Sequence, residues 1–118
     1  MIFLGSFSTD IAIFLFDSIN KTLELYEIME NCCYNLKPGI SSIAVMDETM
    51  MIDQKKSYLI TGSFDYRIRF YDLDKHKPLG YIKYISSRIN QIKLAKNEEN
   101  IFLMVASDEN CFYIWLLC

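Results

Sequence analysis

The side chains of this 118-residue chain best equipped for chemistry are four cysteines, one histidine and several paired carboxylates, and their spacing argues against joint use. Cys32 and Cys33 are adjacent, while Cys111 and Cys118 stand far from them and from each other. None has the two-to-four-residue gap that lets neighbouring thiolates close on a zinc ion, so reduced strand or loop thiols of a cytoplasmic or nuclear protein are expected. His76 lies in Asp74-Lys75-His76-Lys77 with no metal-ligating or catalytic partner nearby in sequence, and is expected as a solvated turn residue. The acidic pairs Asp72/Asp74, Asp47/Glu48 and Glu98/Glu99 fall in turn-forming stretches, where carboxylates are simply hydrated. No nucleophile, base and orienting group can be assembled, and the four glycines have no phosphate-cradling spacing. The expectation is a protein without enzymatic activity, metal site or cofactor.

Charge and patterning narrow the partners. Twelve basic against fifteen acidic side chains give a net charge of -3, which offers no footprint for nucleic acid. A hydrophobic content of 52% is enough for a core. The apolar start from Met1 to Phe16 lacks a basic leader and is interrupted by Gly5, Ser6, Ser8, Thr9 and Asp10, unlike a signal peptide. No stretch approaches the ~20 uninterrupted apolar residues of a membrane helix.

What must position these residues becomes visible when the sequence is laid against itself. With Gly5, Gly62 and Ala106 aligned, three segments match without a gap: IFLGSFSTDIAIFLF, LITGSFDYRIRFYDL and LMVASDENCFYIWLL. Each has three mostly apolar residues, a small residue, a serine (Ser6, Ser63, Ser107), a polar turn, and a run ending in an aromatic (Phe14, Tyr71, Trp115). The pairs Ile11/Ile13, Ile68/Phe70 and Phe112/Ile114 sit two apart, the side-chain period of a strand, so the segments are expected as β-hairpins. Gly62 and Ala106 are 44 positions apart, matching the about 40–45 residues of a four-stranded propeller blade; Gly5 and Gly62 are 57 apart, a blade plus an insertion. Thr22 to Ile28 and Pro78 to Tyr84 are expected as strands after the first and second hairpins, and Ile40 to Val45 and Ile89 to Leu94 as strands before the second and third. The excess length falls in two surface connections, Asn31 to Pro38 and Asp47 to Lys56. Thr22 to Glu30 would tolerate a short helix, but the repeat context favours a strand.

The expected fold class is therefore all-β: about two and a half four-stranded antiparallel blades of a β-propeller, an incomplete ring. Residues 1–36 form a partial blade (strands b, c, d), 37–87 a complete one (a to d), and 88–118 a final partial one (a, b, c). Met1 beginning in strand b suggests missing blades on the N-terminal side, because known propellers have roughly 4 to 8. Without them, flat apolar faces and open strand edges are expected to drive self-association or capture of a partner.

The segment Gly62 to Leu73, GSFDYRIRFYDL, resembles the WD-repeat signature. That resemblance implies a blade network joining a loop histidine, a strand-b serine, a turn aspartate and a strand-c tryptophan. Ser63 and Asp65 match it, with Tyr71 where tryptophan is usual; Ser107, Glu109 and Trp115 are the counterparts in the last blade, Ser6, Ser8 and Phe14 in the first, and the loop histidine is missing throughout. Lys37-Pro38-Gly39-Ile40-Ser41-Ser42, the Gly62 to Asp72 hairpin, Lys77-Pro78-Leu79 and Ile114-Trp115-Leu116 together resemble the G-protein β-subunit-like family. This resemblance implies a WD-repeat subunit of the ASTRA assembly, a scaffold working with Tel2-type cochaperones that mature phosphatidylinositol-kinase-like kinases. Other WD-repeat adaptors, such as substrate receptors or ribonucleoprotein assembly factors, and a non-functional propeller remnant remain alternatives.

For the fold itself, Asp65 is the key carboxylate, expected to hold its turn by accepting backbone N–H bonds. Phe64, Tyr66, Arg67 and Arg69 are the candidate partner contacts, since interfaces anchor on aromatics and arginines. Arg67 and Arg69 alternate with Ile68 and Phe70 and so share the opposite face of their strand, where stacking between blades or solvation competes with partner contact. Arg88, after Ser86 and Ser87 in the link between blades, is a further candidate.

Overall fold

Period-two alternation dominates the chain, and the computed structural model converts it into ten strands. It describes residues 2–30, 32–33, 38–46, 56–83, 85–109 and 111–117. Among these there is no helix. The strands are β1 (Ile2–Gly5), β2 (Ile11–Asp17), β3 (Thr22–Met29), β4 (Ile40–Met46), β5 (Tyr58–Ser63), β6 (Ile68–Asp72), β7 (Lys77–Ile82), β8 (Ile89–Lys96), β9 (Ile101–Ser107) and β10 (Phe112–Leu116). They pair antiparallel into three sheets, β1-β2-β3, β4-β5-β6-β7 and β10-β9-β8, the architecture of stacked blades in an unclosed propeller. Thr22 to Met29 is a strand, so its β-branched and aromatic content and its pairing with β2 override helix propensity. Most of the expected loop from Asp47 to Lys56, part of the Asn31 to Pro38 link, Tyr84 and Cys118 lie outside the described residues.

The repeat seen in the letters is also a repeat in geometry. β4 bulges against β5 between Ile40 and Ser42, and β8 bulges against β9 between Ile89 and Gln91, the equivalent place. The turn Ser63 N–H donates to the Arg67 carbonyl at 3.2 Å, as Ser107 does to Cys111 at 3.1 Å. Asp17 accepts the N–H groups of Ile19 and Asn20 to close the β2–β3 turn, and Asp72 accepts those of Asp74 and Lys75 to close β6–β7. In both turns the last residue, Lys21 or His76, adopts φ of 53°, the left-handed conformation that lets the chain re-enter a strand.

The sheets stack on two hydrophobic cores. Ile11, Ile13, Met29, Cys32, Cys33, Ile40, Leu59 and Tyr71 fill the first, between sheets one and two. Ile60, Ile68, Ile85, Ile89, Ile92, Leu103 and Val105 fill the second, between sheets two and three. Neighbours Leu59 and Ile60 on β5 point to opposite cores and are both fully buried, so among the described residues only the middle sheet is covered on both faces. Close approach explains the glycine of β5: a Cβ on Gly62 would lie 2.5 Å from Ile89 of the next sheet. Polar bonds also cross the gaps, from the Ile40 N–H to the Ser6 carbonyl at 2.7 Å and from the Ile92 N–H to the Ser42 hydroxyl at 3.0 Å. The near-continuous apolar runs Ile11 to Phe16 and Phe102 to Ala106, a pattern suited to burial on both faces, belong to the outer sheets, and among the described residues only one face of each is covered.

Candidate functional site

Cross-strand pairing sets the first cluster. Leu59 faces Tyr71 and Thr61 faces Arg69, which places Arg69 and Tyr71 together on the face toward sheet one. The β5–β6 turn brings Asp65 back over Ser63, with Tyr66 at φ of 69° completing the reversal. The Asp65 carboxylate binds the Ser63 hydroxyl, and the Arg69 guanidinium grips both carboxylate oxygens in a fork. Arg69 also donates to Ser63 Oγ at 2.9 Å, which lies 3.1 Å from the Arg67 carbonyl. Asp65 is 1% and Arg69 12% exposed at the side chain. Burial alone would pull the Arg69 guanidinium down, but the hydrogen bond and charge of Asp65 hold it above its ordinary value.

In the same core, Tyr71 hydrogen-bonds Cys32, which lies in the link after β3. Burial raises both groups, the Cys32 sulfur pushes Tyr71 further, and the Tyr71 hydroxyl partly offsets the rise at Cys32. Cys33 is raised as well, by burial first, against the Gly39 N–H that donates to its sulfur at 3.4 Å. Both thiols are buried and protonated, so they are poor nucleophiles. Cys111 is free and exposed.

The network differs in each sheet. In sheet three Ser107 Oγ bonds the Cys111 carbonyl at 3.4 Å, but Glu109 turns away to accept the Ser86 hydroxyl at 2.8 Å. Tyr113 occupies the place of Arg69, and its ring stacks on Trp115 at 5.4 Å and 11°. An aromatic stack there replaces the ion pair. In sheet one Ser6 and Ser8 bond each other at 3.2 Å on the surface.

The candidate contacts divide between inside and outside. Arg69, a candidate partner contact by sequence, is committed to Asp65 instead. Arg67 places its guanidinium over the Tyr81 ring of β7, 4.9 Å from its centre. Tyr66 is half-buried in the turn. Phe64 lies across Gly39, whose φ of 137° and bare Cα let the ring approach, and its N–H donates to the Gly39 carbonyl at 3.0 Å. Phe64 then meets Phe7 at 5.6 Å on one side and the Arg88 guanidinium at 5.4 Å on the other. The result is a ridge built from the β1–β2 turn, the β5–β6 turn and the link before β8, with Phe7 78% exposed. A groove of about 340 Å³ runs beside it, lined by Ser6, Phe7, Ile40, Ser41, Phe64 and Asn90.

Phe7 was missed by sequence reasoning, although the shared letters Gly-Ser-Phe in the first two aligned rows carry the signal. His76 is corrected: its side chain is only 11% exposed, its ring binding the Glu27 carboxylate and meeting Tyr26 edge-on at 5.9 Å. Glu27 lies 49 residues earlier, beyond the reach of local sequence reasoning. Among the described residues no cluster of three metal-ligating side chains forms.

No family model matches this chain, and no curated protein matches it. Among solved structures, a chain in the Chaetomium thermophilum Polycomb Repressive Complex 2 bound to GSK126 has the same fold, with a TM-score of 0.71 at 14% identity. The match covers 94% of this chain and 24% of that one, so this chain spans about a quarter of its neighbour's length. Blade-type β-sheet stacking is thus the class of protein that fold and comparison define.

Proposed function

We propose that the chain is a non-enzymatic scaffold that binds other proteins through the Phe7, Phe64 and Arg88 ridge. One observation carries this reading: the β1–β2 and β5–β6 turns and the link before β8 each contribute a residue to an aromatic and cationic ridge whose Phe7 and Arg88 are exposed and whose Phe64 is half-buried, while Asp65, Arg69, Tyr71 and Cys32 satisfy one another in the interior. Aromatic rings flanked by arginine are the side chains on which protein interfaces concentrate their energy. The finer proposal, motivated by the Pro-Gly-Ile, Asp-Tyr-Arg-Ile-Arg and Lys-Pro-Leu motifs, is an ASTRA-type WD-repeat subunit. It would act in the cytoplasm or nucleus with Tel2-type cochaperones on phosphatidylinositol-kinase-like kinases.

The test is affinity capture from cells with the tagged chain, alongside Phe7→Ala and Arg88→Glu variants. Tel2-type cochaperones are expected with the unmodified chain. Each variant is expected to lose roughly 30-fold in affinity, the equivalent of a 2 kcal/mol contact, with thermal stability changed by less than about 0.5 kcal/mol. Undiminished capture by both variants would remove the ridge from the binding surface. Capture of a different assembly through the same ridge would retain the scaffold and overturn the ASTRA assignment.

A further inference from the structure

The outward faces of the two terminal sheets are apolar, and none of the described residues covers them. On sheet one, the pairings of Phe14 with Ile2 and Leu25, of Ala12 with Leu4 and Ile28, and of Phe16 with Leu23 put all eight side chains on the face turned away from sheet two. None is charged, and six are substantially exposed. On sheet three, Phe112, Ile114 and Leu116 of β10 lie opposite Ala106, Met104 and Phe102 of β9. The three β10 residues are 62%, 60% and 62% exposed. Soluble monomers rarely leave contiguous apolar patches larger than a few hundred Å².

The repeat register shows what these faces match. Met104, Ala106, Phe112 and Ile114 occupy the positions of Ile60, Gly62, Ile68 and Phe70, the face of sheet two that sheet three covers. Ile2, Leu4, Ala12 and Phe14 occupy the positions of Leu59, Thr61, Arg69 and Tyr71, the face of sheet two that sheet one covers. One chain therefore carries, at opposite ends, both halves of the contact its own sheets make with one another.

We propose that a second copy of this chain covers the sheet-three face with its sheet-one face, continuing the intrachain stacking head to tail. Such a contact is heterologous: each added copy again presents one free face of each kind, so association continues past the dimer unless it closes on itself. Among the described residues sheet one has no strand in the place of β4 or β8, so the contact centres on β9 and β10 of the receiving copy.

Face-blocking variants test this. Leu4→Lys with Leu25→Lys blocks the sheet-one face, and Ile114→Lys with Leu116→Lys blocks the sheet-three face. Sedimentation of the unmodified chain is expected to give masses above the monomer that rise with concentration, whereas each blocked chain alone is monomeric. Mixed, the two blocked chains have one compatible pair of faces and are expected to form a 1:1 dimer and nothing larger. A monomeric unmodified chain, unchanged association of either blocked chain, or a mixture that stays monomeric overturns the proposal. Should lysine abolish the β-sheet circular dichroism, Leu25→Thr and Ile114→Thr replace it. Each is expected to weaken association about tenfold, and unchanged association is the overturning result.

Discussion

At the scale of single residues, the fork between Asp65 and Arg69 governs the middle sheet. Both groups are removed from solvent, and their attraction offsets that cost only while both are present. Asp65→Ala is expected to lower unfolding free energy by about 3 kcal/mol, because Arg69 remains buried without its carboxylate. Asp65→Ala with Arg69→Met is expected to cost less than Asp65→Ala alone, and chemical denaturation of both variants checks the order. Alkaline pH strikes the same region. Cys32 and Tyr71 have raised values in the folded chain, so folding favours their protonated forms. That contribution is complete below the ordinary thiol value of 9.0 and is lost as pH rises through the folded values. Stability is expected to fall as pH climbs beyond about 9, and Cys32→Ala to flatten the decline in pH-dependent thermal melts. Ser63 and Asp65 could be singled out from sequence because a serine followed by a turn carboxylate is local chemistry. The partners of Tyr71 and His76 could not, since Glu27 lies in another sheet and Cys32 in the link that follows it, and nothing within either segment encodes their approach.

At the scale of elements, alternation and turn chemistry made nearly every strand legible. Ile68 and Phe70 on one face and Arg69 and Tyr71 on the other define β6 before any pairing is known, and Asp72 with His76 defines its turn. Bulges were not legible, because the extra residue between Ile40 and Ser42 leaves the apolar pattern intact while shifting register. The glycines of β5 and β7 separate structural need from mere tolerance. Gly62→Ala drives a methyl into Ile89 and is expected to cost about 1–3 kcal/mol through overpacking. At Gly80 a Cβ meets nothing within 4 Å, and Gly80→Ala is expected to leave thermal stability unchanged or slightly raised. Parallel melting curves of the two variants give the comparison.

For the whole molecule, the sequence displays apolar strands suited to burial on both sides, and among the described residues only the middle sheet is buried that way. Ile11 to Phe16 illustrates the difference: Ile11 and Ile13 reach the core, whereas Phe16 faces outward. Periodicity announces how many faces a strand can cover but carries no information on what covers them. The shared order of strands, bulges and turn bonds has a consequence for how such a chain can change. Its ends are fixed in kind by the repeat and not by its length. Excising or duplicating one whole 44-residue period would therefore leave both terminal surfaces of the same type, whereas a cut within a period would strand half a sheet. The unit of tolerated insertion or deletion is accordingly the sheet, and length becomes a quantity counted in whole sheets.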